Sequence, residues 1–130
     1  MRVRTSPACL LACLIVAACG SSGSSTPDAP TVDAPPPTVR TVTCPPGDMP
    51  MVTTSNGVLA FDPMTTGISV AGIVKFAMSS EHNVGPDPGL PSDSGLRVPF
   101  GQTVCLEFDK AGTFHFICTL HVFKGTIIVQ

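Results

Sequence analysis

Residues 112–129 read Gly112-Thr113-Phe114-His115-Phe116-Ile117-Cys118-Thr119-Leu120-His121-Val122-Phe123-Lys124-Gly125-Thr126-Ile127-Ile128-Val129. In the first third Phe114 and Phe116 alternate with His115, the period-two pattern of a strand with one face on a core. The last third, 125–129, is a second β-branched run. The short connection between them carries a cysteine and, three residues later, a histidine. A soft thiolate and an imidazole presented together on one tight loop suit copper or zinc.

Moving outward, further short β-like runs fall at 58–61, 68–70, 73–78, 96–98 and 103–108. In the last of these Val104, Leu106 and Phe108 share one face, while Cys105 and Glu107 share the other, so the first set is assigned to the core. Residues 85–95, Gly85-Pro86-Asp87-Pro88-Gly89-Leu90-Pro91-Ser92-Asp93-Ser94-Gly95, are expected as a surface loop unable to hold a ladder, because proline lacks the N–H donor and glycine favours turns. No stretch has useful helical periodicity, and no glycine-rich phosphate loop or internal repeat is present. Seven or eight strands at this spacing imply an all-β Greek-key sandwich or small barrel.

The chain of 130 residues has 7 Lys and Arg against 9 Asp and Glu. Five of those cations and all nine anions follow residue 18, so a form starting at Cys19 has a net charge of 5 − 9 = −4. Without a basic footprint, nucleic acid is excluded as a partner. The 12 Gly and 14 Pro fit a loop-rich β protein. All seven Phe and all three His lie between 61 and 123, which puts core and chemistry in the C-terminal two-thirds.

Residues 1–18 form a signal peptide: Arg2 and Arg4 make a basic head, and the apolar run at 8–18 is too short to span a bilayer. Its end, Val16-Ala17-Ala18-Cys19-Gly20, looks like the lipobox of bacterial lipoproteins, which implies acylation of Cys19 and a lipid-anchored protein at the periplasmic face or cell surface. Gly20, with no Asp at that place, resembles lipoproteins sent to the outer membrane. Residues 20–38 are Ser, Gly, Thr, Pro, Asp and Ala with a single Val, so 19–39 is assigned as lipidated cysteine plus linker, and 40–130 as the folded domain. Of the six cysteines, Cys9 and Cys13 leave with the signal peptide and Cys19 takes lipid. Cys44, Cys105 and Cys118 remain in an oxidising compartment. Cys105 points away from the core, and Cys44 sits in a Pro-rich segment able to lie over that face. A Cys44–Cys105 disulfide is therefore expected, with Cys118 left as the thiol.

Taken together, the chain after the linker resembles the cupredoxins, the blue copper family of plastocyanin, azurin and amicyanin. Ser80-Glu81-His82-Asn83-Val84 resembles that family's His-Asn element near the end of a central strand, and residues 112–129 resemble its terminal Cys–His hairpin. The turns Ser92-Asp93-Ser94-Gly95 and Phe100-Gly101-Gln102-Thr103 fall where the family has such turns. The resemblance implies one mononuclear copper held by His82, Cys118 and His121, with Asn83 and Thr119 tying the ligand loops together. It implies a monomeric electron carrier, not an enzyme, that exchanges electrons with a redox partner docking near Leu120, Val122 and Phe123. His115 is placed outside the ligand set by alternation.

The departure from the family is axial. Related loops continue from His to a Met, whereas here Val122-Phe123 runs into Lys124-Gly125. Lysine binds copper only as the neutral amine, far below its usual pKa, so Lys124 is not assigned as a ligand. The expected centre is three-coordinate, or takes a distant oxygen such as the Glu81 carbonyl. Met49-Pro50-Met51 keeps a second function open, periplasmic copper storage, delivery or sensing; a structural cupredoxin module with a degenerate site is the third.

Overall fold

A computed structural model describes residues 35–130. The expected signal peptide, Cys19 and most of the linker lie outside the described residues. Eight strands are present: β1 (Val39–Val42), β2 (Met51–Thr53), β3 (Thr65–Ile68), β4 (Gly72–Ala77), β5 (Gly85–Pro86), β6 (Thr103–Phe108), β7 (Gly112–Ile117) and β8 (Lys124–Val129). They form two four-stranded sheets, ordered β1-β6-β4-β2 and β3-β8-β7-β5. The all-β sandwich expected from the strand pattern is what forms.

Each sheet has one apolar face, and the two faces close on each other. Val74 and Phe76 of β4, Leu106 and Phe108 of β6, Phe114 and Phe116 of β7, and Ile127 and Val129 of β8 alternate inward and are buried. Phe116 packs edge-on against Phe61 and Phe76, with ring centroids 4.7 and 5.5 Å apart, the arrangement favoured by the ring quadrupoles. Cys105 lies on the outer face of β6 but is buried as well, because the chain at Cys44 folds over it and bonds to it.

Several local expectations are corrected. Residues 58–61 are not a strand: Val58 N–H bonds back to Ser55 O, Val58 and Leu59 are exposed, and Phe61 alone turns inward. Residues 96–98 contribute only a bridge from Val98 to Val84, and β3 ends at Ile68, with residues 70–71 in a turn. Within the expected loop 85–95, Gly85 and Pro86 do pair, with Ile117 and Phe116. Proline is tolerated there because β5 is an edge strand. Val39, assigned to the linker, opens β1 opposite Phe108 and is wholly buried. It is fastened by the preceding residue: Thr38 donates to Asp93 Oδ2 from its backbone N at 2.7 Å and its hydroxyl at 2.9 Å.

The registers define two poles. Phe108, Gly112 and Val129 mark one, where β1 begins; Ala77, Thr103, Ile117 and Lys124 mark the other. His82 and Cys118 follow β4 and β7 at this second pole.

Candidate metal centre

Three side chains converge at that pole. Cys118, the residue after β7, is wholly buried, as is His82 from the turn after β4; His121 is half-buried. Cys118 Sγ lies 3.8 Å from His82 Nδ1 and 3.6 Å from His121 Nδ1. Nitrogen and sulfur donors at ~2.0 and ~2.3 Å from one ion in a trigonal plane stand about 3.7 Å apart. Both sulfur–nitrogen distances match that spacing and all three donors lie within 4.8 Å of one another; a thiolate with two imidazoles is a set that suits copper.

The backbone explains the convergence. Cys118 N–H donates to Phe123 O at 3.0 Å and Val122 N–H to Cys118 O at 2.8 Å, closing the loop on itself. Val122 has φ 61°, a left-handed conformation that strains a β-branched residue. Strain at this point turns the chain back so that Phe123 faces inward, where its ring meets Phe61 at 4.6 Å and His82 at 5.0 Å. His82 Nε2 donates to Ser55 O at 3.2 Å, which leaves the Nδ1 lone pair facing the sulfur. Ser55 is itself placed by contacts between residues 54–57 and 79–81: Gly57 N–H donates to Glu81 Oε2 at 2.8 Å, and Thr54 Oγ1 accepts from Ser79 N at 2.9 Å.

Asn83 and Thr119 join the two ligand segments. Thr119 N–H donates to Asn83 Oδ1 at 2.9 Å, and Asn83 Nδ2 donates to Thr119 Oγ1 at 2.8 Å. His115 is away from the site, its Nδ1 3.2 Å from Thr126 Oγ1 on the outer face of the second sheet. Lys124 also points to that outer face, its ammonium 2.8 Å from Asp87 Oδ2. The Lys124 hydrogen bond, followed by that from the Gly89 amide, holds the Asp87 carboxyl below its usual range. Leu120 and Val122 stand exposed, at 64 and 62%, on either side of His121.

Ser55 and Asp87 were not foreseen. Ser55 acts through a carbonyl that every residue type has, and Asp87 sits in a Pro-Gly run whose composition signals only a turn.

Among solved structures, a reduced Cu(I) form of a proline-to-glycine variant of amicyanin matches with TM-score 0.58 and 19% identity, over 72% of this chain and 99% of that one. Amicyanin from Paracoccus versutus matches with TM-score 0.58 and 18% identity, over 73% and 100%. This is a cupredoxin fold. In sequence, the chain is similar to a pseudoazurin of Methylorubrum extorquens, 28% identical over 74 residues, 55% of this chain and 50% of the relative. The chain therefore matches about half the length of that curated relative. No family model matches the chain.

Proposed function

We propose that the domain is a one-electron carrier holding a single copper ion between His82 Nδ1, Cys118 Sγ and His121 Nδ1. The observation that carries this reading is the convergence of one buried thiol and two imidazoles within 4.8 Å of one another, with each nitrogen at 3.6–3.8 Å from the sulfur. Copper bound there supplies one-electron exchange between its two oxidation states. The protein supplies a frame that both states must share. Copper(I) favours few, soft ligands and copper(II) more nitrogen and oxygen donors, so donors held in one compromise geometry keep reorganisation small. Ser55 O, the Asn83–Thr119 pair and the Phe61–Phe123–His82 stack do the holding. Half-buried His121, between exposed Leu120 and Val122, offers an imidazole edge inside an apolar patch where a redox partner docks.

The protein works from a membrane surface. The lipobox-like stretch ending at Cys19 supports acylation there, with the Pro-rich linker between lipid and domain. Val39, where β1 begins, lies at the pole opposite the ligand loops, which supports attachment through the preceding chain. Adding copper(II) to the purified full chain is expected to give an intense visible sulfur-to-copper charge-transfer band, abolished by Cys118→Ser. A colourless complex, or a band that survives the substitution, overturns the assignment.

A further inference from the structure

Away from the metal pole, sulfur gathers on the outer face of the first sheet. The registers align Val42, Cys105, Lys75 and Met51 across β1, β6, β4 and β2. Cys44 is disulfide-bonded to Cys105 on this face, and Met49 Sδ lies 3.8 Å from Cys105 Sγ. Cys44 is exposed and Met49 half-buried, and neither methionine belongs to the buried apolar core. No backbone hydrogen bond fixes residues 45–49 among the described residues; the chain is fastened again where Pro50 O accepts Lys75 N–H at 2.9 Å. Pro45 and Pro46 have no donor to offer. The disulfide is thus what pins this segment, and opening it leaves Cys44 and Met49 able to re-aim their sulfurs over Cys105.

We propose that Cys44, Cys105 and Met49 form a second, redox-gated copper(I) site, independent of His82, Cys118 and His121. A dithiol reductant opens it. Its first thiolate attacks the exposed Cys44 sulfur, forming a mixed disulfide and releasing Cys105 as thiolate. Its second thiolate then displaces Cys44, so that the reductant leaves as a disulfide and two electrons have passed to the cystine. Copper(I) binds the two thiolates and the Met49 thioether, displacing two thiol protons without changing oxidation state. Three sulfur donors, one of them a thioether, suit low-coordinate copper(I) and disfavour harder divalent ions. The bis-thiolate complex has one net negative charge, and the Lys75 ammonium, the register neighbour of Cys105 on the same face, is placed to balance it.

The test uses the full chain with Cys9, Cys13, Cys19 and Cys118 replaced by Ser, so that Cys44 and Cys105 are the only thiols. The protein is titrated with copper(I) against a chromophoric copper(I) chelator, before and after reduction by a dithiol that is then removed. The oxidised protein is expected to take up none and the reduced protein one equivalent, with Met49→Leu weakening that uptake at least about tenfold. Reduced protein that takes up no copper(I), or Met49→Leu that binds as tightly as its parent, overturns the site. Because Cys118 is absent throughout, neither result bears on the charge-transfer test of the first site.

Discussion

Lys124 is the residue at which the loop departs from related copper loops, and its ion pair with Asp87 decides its role. With the ammonium held on the outer face at 2.8 Å from a buried carboxylate, it takes no part in the donor set. Lys124→Ala is therefore expected to keep the charge-transfer band while lowering the melting temperature. The pH dependence of that loss follows from Asp87, whose carboxyl is held below its usual range first by Lys124. A lowered folded pKa contributes stability that is complete above the unfolded value of about 3.9 and is lost as pH falls through the folded one. The gap in melting temperature between the parent and Lys124→Ala should be steady from neutral pH to about pH 5 and narrow below about pH 4. A gap undiminished in strong acid refutes the pairing. The lack of a Met between Phe123 and Lys124 makes a second expectation at this scale. A thioether favours the oxidised ion relative to a site that lacks it, so inserting Met between Phe123 and Lys124 should lower the reduction potential measured by voltammetry and retain the band. An unmoved potential means another group already fills that position.

At the scale of elements, two glycines show how the strands hold the loops. A Cβ on Gly85 of β5 would lie 2.6 Å from Thr119 Cγ2, and one on Gly125 of β8 would run into the Phe116 ring. Gly85→Ala pushes Thr119 off Asn83, and is expected to shift the visible spectrum while the sandwich stays folded. Gly125→Ala drives into a wholly buried ring and should cost about 1–3 kcal/mol in denaturant unfolding. An unchanged spectrum in the first, or unchanged stability in the second, contradicts these placements. The disulfide belongs to this scale as well. It spans 61 residues, so Cys44→Ala with Cys105→Ala should cost about 2–4 kcal/mol and leave the charge-transfer band intact. The same elements show what could be read in advance. β4, β6, β7 and β8 announce themselves because both their faces are set by their own alternation. β1, β2 and β5 do not, because an edge strand of two to four residues exists only through the neighbour it pairs with. Val58 and Leu59 looked like strand for the converse reason: β-branched and apolar residues satisfy a pattern, yet no partner edge lies beside them. His82, Cys118 and His121 were legible as side-chain chemistry at short spacing. The Ser55 carbonyl and the Asp87 carboxylate were not, since each acts through a tertiary approach between segments that no local signal records.

At the scale of the whole molecule, the sandwich places the entry of the chain and the converging donors at different poles. Val39 opposite Phe108 starts the domain at one pole, with Thr38 clamped to Asp93. The Asp93 carboxyl, pushed up by burial, is pulled down further by hydrogen bonds from the Gly95 and Thr38 amides, and its net pKa is lowered. It is thus an ionised anchor at neutral pH. The ligand loops leave the sheets at the other pole. Within the described residues the chain thus enters at one pole and the converging donors lie at the other. Two independent results should follow. Cells fed labelled fatty acid should incorporate the label into the protein and lose it in Cys19→Ala, with the variant released from the membrane fraction. The same variant loaded with copper(II) should show the band of its parent, because Val39, where β1 begins, lies at the pole away from His82, Cys118 and His121. Label retained in Cys19→Ala means that the lipobox has been misread; a band lost along with the label means that the N-terminal segment reaches the metal pole, and that the separation of the two ends is wrong.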